Sequence, residues 1–260
     1  MAYERIALSI EDGIAVLTLN HPESRNALSW QLANEMWEAL GALEGARALV
    51  ITGAGKGFCS GGDMASQPRP GTDFGDMLHE GLSGAVNPML LRLRDLKIPV
   101  IAAVNGAAAG AGAPLALLAD FVIAGESAFF YMAFPNVGLV PDAGGSFILP
   151  RLIGKARAMQ MMMLADKISA AQALDWGMIY KVVPDEELLA EAMKLAARLA
   201  AGPTVSYGLI RHEVQAALTS DFETALATEA SNQRIAGKTA DCKEAVTAFF
   251  EKRAPQFRGE

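Results

Sequence analysis

The stretch IPVIAAVNGAAAGAGAPLALLA runs from Ile98 to Ala119 without a single charge. It is long enough to cross a bilayer, and that reading would make the chain a membrane protein. The punctuation argues otherwise. Pro99, Asn105, Gly106, Gly110, Gly112 and Pro114 interrupt the run, and the polar-flanked DFVIAGES follows it. An apolar β-type block, an Asn-Gly turn and a block of small residues read as a buried strand, a turn and a buried helix. The chain is therefore expected to be an α/β protein with no membrane span.

The flanking sequence extends that pattern. RIALSI and IAVLTL are two strand-like runs around Glu11-Asp12-Gly13, a hairpin signal. Ser29 is placed to cap a helix whose apolar residues Leu32, Met36 and Leu40 repeat at helical spacing. ALVIT, from Ala48, reads as a buried strand that feeds the loop GAGKGFCSGGDM. Residues 65–87 are poorly periodic and read as a mobile surface segment. DFVIAG and AFFYM are further strands, and Asp142 opens a helix.

Downstream the chain turns helical. Ser169 and Gln172 form a capping box, with Gly177 at the helix end. MIYKVV is a last strand, stopped by Pro184. Helices follow over about 185–200 and 204–218, and Asp241 to Glu244 is placed to cap the final one. Two segments result, 1–200 and a helical 201–260, with no linker that would separate independent domains.

Composition narrows the function. Hydrophobic residues make up 52% of the 260, enough for a large core, and the net charge is −7 with a pI near 5.1. An acidic chain argues against a nucleic-acid partner. Cys59 and Cys242 are far apart and form neither a disulfide framework nor a zinc spacing, which fits a reducing cytoplasm. The N-terminal MAYERIALSIEDG lacks a secretory pattern, so a cytoplasmic location is expected.

Two loops can carry chemistry. GAGKGFCSGGDM has glycines at 53, 55, 57, 61 and 62, but it is neither G-x-G-x-x-G nor a P-loop, since Lys56 lacks the following Ser or Thr. It is either a tight surface turn or a place where a ligand meets free backbone N–H groups. NGAAAGAGAPL puts small residues at a helix start, where N–H groups stabilise negative charge. Ser60 does not sit in G-x-S-x-G, and His21, His79 and His212 have no evident Ser or Cys partner, so a Ser–His hydrolase or a metal site is not indicated. In GLVPDAGGS, Asp142 stands among apolar and small residues. It is either a helix N-cap or the group that moves a proton.

LVITGAGKGFCSGGDM, KIPVIAAVNGAAAGAGAPLALLAD and GLVPDAGG, in that order, resemble the signature of the enoyl-CoA hydratase/isomerase (crotonase) superfamily. The resemblance covers nearly the whole chain. It implies a spiral of repeated ββα units over 1–200, and a helical oligomerisation region over 201–260 that makes a homotrimer or a hexamer. The implied partner is an acyl-CoA thioester, with coenzyme A part of the substrate and no separate cofactor. Two backbone N–H groups, at Gly62 and Ala111, would hold the thioester oxygen while an enolate forms, each worth roughly 3 to 4 kcal/mol by analogy with other oxyanion holes. Coenzyme A contacts map to Arg25, Ala27, Leu28, Lys56, Ser60, Gly61, Asp63 and Met64, with Phe249 and Lys252 supplied by a neighbouring subunit.

Departures from the family pattern select the chemistry. Hydratases of this family carry two glutamates that flank a water; the corresponding positions here are Pro114 and Phe134. Asp142 stands where several isomerases of the family have an acid. One carboxylate with two oxyanion donors shuttles a proton between carbons, so the resemblance implies a double-bond isomerase with Asp142 as base and acid. Within the family, ALDWGMIYKVV and QRIAGKTADCKEAVTAFFEKRAPQF resemble members acting on 3-enoyl-CoA or, in phenylacetate catabolism, on ring-epoxide phenylacetyl-CoA. A hydratase or another thioester enzyme of the same fold is the alternative, and a non-catalytic binding or scaffold member is a more distant one. Met132, Phe134 and residues 65–87 are the expected pocket lining, and Met161 to Met163 are expected in the core.

Overall fold

The computed structural model describes residues 3–63 and 71–260. In chain order the elements are β1 (Ile6–Glu11), β2 (Ile14–Leu19), α1 (Trp30–Ala39), β3 (Ala48–Gly53), β4 (Gly57–Cys59), α2 (Phe74–Gly81), a π-helical turn (Leu82–Val86) and α3 (Asn87–Arg94). Then come β5 (Val100–Val104), β6 (Ala107–Ala109), α4 (Gly112–Leu117), β7 (Phe121–Gly125), β8 (Phe129–Tyr131), α5 (Gly145–Met159), β9 (Lys167–Ser169), α6 (Ala170–Asp175) and β10 (Lys181–Val183). Four helices end the chain: α7 (Leu188–Ala200), α8 (Thr204–Ala217), α9 (Phe222–Ala236) and α10 (Ala240–Glu251).

The strands form two sheets. One has six strands in the order β1-β2-β3-β5-β7-β10, and the other has four, β4-β6-β8-β9. β1 and β2 pair antiparallel across Asp12-Gly13, whose φ values of 50° and 75° suit a type I′ turn. From β2 onward the six-stranded sheet is parallel. Three times over, a strand of the large sheet is followed by a short strand of the small sheet and then by helix, which is the repeated ββα unit.

Burial on both faces explains why the parallel strands read as continuous apolar runs. Leu49 and Ile51 point into the main core with α1, α3 and α4, while Ala48 and Val50 point to the opposite face, against Leu188, Ala192 and Ala196 of α7. β5 alternates in the same way. Val100, Ala102 and Val104 enter the first cluster, and Ile101 and Ala103 the second. The charge-free run is divided among β5, β6 and α4, and no helix among the described residues is long and apolar enough to cross a membrane.

Several expectations are corrected. The part of 65–87 that is described is helical from Phe74 onward, capped by Asp73, whose side chain accepts from Gly75 N. The helix was hidden because the π turn shifts the apolar period midway. The glycine-rich loop contains β4 and the Ala-Ala-Ala run is β6, both too short to show a pattern. MIYKVV is strand only from Lys181. Among 201–260, α9 had no expected counterpart. The last helix is capped by Thr239, whose side chain accepts from Cys242 N; Asp241 is buried and instead receives the N–H groups of Arg258 and Gly259 at 2.7 and 2.8 Å. Of the methionine run, Met161 is buried but Met163 is 64% exposed.

Candidate active site

Two asparagines shape the first loop. Asn26, buried and with φ 57°, accepts from His21 N and donates to Ala54 O and Gly57 O at 2.9 and 2.8 Å. Asn105 accepts from Gly53 N and donates to Gly53 O and Gly55 O. Leu28 N then donates to Gly61 O at 2.7 Å, Ser60 N to Arg25 O at 3.0 Å, and Ser60 Oγ to Ser24 O at 2.9 Å. Every turn of GAGKGFCSGG is thus tied to a neighbouring segment.

The second loop lies directly against the first. Gly61 has φ 95°, and a Cβ there would stand 2.8 Å from Ala109 O. A Cβ on Gly112 would stand 2.4 Å from Cys59 O. Backbone therefore meets backbone, and glycine is what allows it. The N–H groups of Gly62 and Ala111 make no hydrogen bond within the described residues, and both residues line one cleft. Cys59, sealed behind this contact, has its thiol pushed up to about 11 by burial and is no nucleophile.

Asp142 lines the same cleft, which is open to solvent. After it, Ala143 and Gly144 both take left-handed backbone, with φ 51° and 84°. A non-glycine residue there is uncommon and strained. The double turn makes Gly144 the N-cap of α5, and the Asp142 backbone oxygen, not its carboxylate, accepts from Gly145 N. The carboxylate is thus not a helix cap. Its Oδ1 is buried without a hydrogen-bond partner among the described residues. Burial pushes the carboxyl up from 3.8 to about 6, with a bond from its own backbone N–H pulling back. A carboxyl held close to neutrality in a cleft is what proton transfer requires.

The remaining wall is apolar. Leu28, Trp30, Phe74, Met77, Leu78, Leu82 and Val86 line it, with Ser29 and Asp63 as further polar residues. Phe74 to Val86 belong to the stretch expected to line a pocket. Met132 and Phe134 do not line the cleft; both are buried in the core, and Pro114 is buried in α4. Trp30 is the residue that sequence reasoning missed. Its place at the start of α1, two residues after Leu28 and next to the Ser29 cap, was the available signal.

The other expected contacts are distributed. Ala27 is buried, while Arg25 is exposed beside the Lys56–Gly57 turn, with its Cβ 4.0 Å from where a Gly57 Cβ would stand. Met64 lies outside the described residues. Phe249 is 77% exposed on α10, Lys252 caps that helix with φ 55°, and neither lines the cleft of the single chain. His21 does have a serine partner, Ser24 Oγ at 2.5 Å, but that hydroxyl also accepts from Ala27 N and braces the loop.

The two sheets, the ββα spiral and the paired loops define a crotonase-type fold. The enoyl-CoA hydratase/isomerase family model matches residues 9–260, and the chain belongs to that family. It is 45% identical over 260 residues to 1,2-epoxyphenylacetyl-CoA isomerase of Escherichia coli (strain K12), covering 99% of each chain. It is 44% identical to a probable enoyl-CoA hydratase of Rhodobacter capsulatus, over the full length of both. The crystal structure of a putative enoyl-CoA hydratase/isomerase from Mycobacterium abscessus superposes with a TM-score of 0.92 at 37% identity, covering 98% of this chain and all of that one.

Proposed function

We propose that the protein is an acyl-CoA double-bond isomerase working through a thioester enolate. The observation that carries this reading is the state of Asp142: a buried carboxyl with an unpartnered oxygen, in one cleft with the N–H groups of Gly62 and Ala111. The Asp142 carboxylate removes a proton from C2 of a 3-enoyl thioester. The electron pair moves into a dienolate whose oxygen accepts hydrogen bonds from Gly62 N and Ala111 N. The same carboxyl then returns its proton to C4, giving the conjugated 2-enoyl thioester. Fixed donors aimed at charge that develops in the transition state lower the barrier at little cost in reorganisation.

Pro114 and Phe134 stand at the positions of the paired glutamates, and neither side chain can activate water. The hydratase reading keeps the support of the Rhodobacter relative's name, and the isomerase reading has that of the Escherichia relative. Arg25 and Lys56, both exposed near one turn, suit the phosphates of coenzyme A. The exposed Phe249 and Phe250, each 77% accessible, suit a trimer or hexamer in which Phe249 and Lys252 reach a neighbour's coenzyme A.

Product analysis with 2-enoyl-, 3-enoyl- and ring-epoxide phenylacetyl-CoA tests the reading. It requires 3-enoyl-CoA or the epoxide to be isomerised without added cofactor and crotonyl-CoA to be hydrated poorly. Efficient hydration with no isomerisation would replace it with the hydratase reading.

A further inference from the structure

Trp30 is wedged against Gly81, the last residue of α2. A Cβ on Gly81 would stand 2.0 Å from Trp30 Nε1, 2.1 Å from Cε2 and 2.5 Å from Cζ2. Gly81 has ordinary helical backbone, φ −66° and ψ −42°, so its conformation does not call for glycine. Glycine in a helix interior is a weakening choice. What it provides here is a seat for the indole.

That seat fixes one wall of the cleft. The chain passes from Gly81 straight into the π turn Leu82–Val86 and then into α3. π-helical turns occur mostly as single insertions, frequently at functional sites. Leu82 and Val86 of this turn line the cleft with Met77 and Leu78 of α2, and Trp30 lines it from α1. The indole therefore joins two elements that form one wall of the cleft.

We propose that Trp30, seated on Gly81, sets the acyl-group specificity of this cleft, favouring a longer apolar acyl group over a shorter one. The inference rests on the acyl-thioester reading of the site. Each methylene buried against this wall raises affinity about fourfold. A hydroxyl or carboxylate at the far end of the acyl group would meet the apolar side chains of Met77, Leu82 and Val86 and lose hydration against them.

The test is a double-mutant cycle on the full-length protein, read by calorimetric titration with butanoyl-CoA and decanoyl-CoA, which bind without being isomerised. Wild type binds decanoyl-CoA at least tenfold more tightly. Gly81→Ala, which drives the indole from its seat, cuts that preference at least fivefold and leaves butanoyl-CoA affinity within twofold. Trp30→Ala cuts it at least threefold, and Trp30→Phe holds it within twofold of wild type. In the Trp30→Ala background, Gly81→Ala has no further effect, because the atoms it would strike are gone. Should Gly81→Ala alone fail to fold, the contrast between Trp30→Ala and Trp30→Phe decides. Equal binding of the two thioesters by wild type, an undiminished preference in Trp30→Ala, or the same Gly81→Ala effect with and without Trp30 overturns the role of Trp30 and leaves the thioester reading standing. Failure of wild type to bind either thioester overturns both.

Discussion

The two walls of the cleft are built by opposite means. One is made of backbone: Gly61 against Ala109, Gly112 against Cys59, and asparagines 26 and 105 tying the turns. The other is made of side chains on α2 and the π turn, propped on a tryptophan. A backbone wall fixes where N–H groups point and is indifferent to most side chains. A side-chain wall fixes size and polarity, and it changes with single substitutions. The first suits chemistry shared across a family, and the second suits the choice of acyl group.

The largest expected effect breaks the backbone wall. Gly62→Pro removes one N–H without adding charge, and kcat should fall about a hundredfold or more, while affinity for coenzyme A thioesters changes little. Circular dichroism must first show the variant folded. Equal losses in kcat and affinity would remove Gly62 from the oxyanion role.

Neighbouring glycines sharpen the contrast. Gly61→Ala puts a methyl 2.8 Å from Ala109 O at φ 95°, and should cost about 2 kcal/mol or more in denaturant unfolding. Gly62→Ala meets nothing within 4 Å and should stay within about 0.5 kcal/mol of wild type. Equal destabilisation by the two would show that the loops are not in contact at Gly61.

A smaller effect concerns charge. The Asp142 carboxyl is raised from 3.8 to about 6 in the folded state, so folding favours its protonated form. The resulting penalty is absent below the unfolded pKa, grows as pH rises from about 4 to 6, and is full above the folded pKa. Asp142→Asn should therefore unfold at a higher temperature than wild type at pH 7.5, and the gap should close by pH 4. The same titration should make wild-type kcat/KM fall as pH drops through about 6, because the base must be ionised. A gap that is constant with pH would contradict the raised pKa.

The contrast between the walls also explains what the sequence made legible. β3, β5 and β7 could be read because both faces are buried, which leaves unbroken apolar runs such as ALVIT and PVIAAV. The two loops could be singled out because glycines and small residues mark the places where backbones touch, but which N–H groups serve as oxyanion candidates came only from the family resemblance. The α2 region could not, because its period breaks at the π turn and its key contact, Trp30 on Gly81, joins residues distant in sequence. Asp142 could be located, but only the left-handed Ala143-Gly144 turn shows that its carboxylate is not spent on capping α5.

The central claim is that one carboxyl, Asp142, moves the proton. It is tested most directly by Asp142→Asn assayed on 3-enoyl-CoA in deuterated water. Asn keeps the shape and cannot accept and return a proton at neutral pH. The account predicts a folded variant whose isomerisation falls at least about a hundredfold, the low end for general acid–base catalysis, while wild type incorporates solvent deuterium at the α or γ carbon. A folded Asp142→Asn protein that isomerises at the wild-type rate would contradict it.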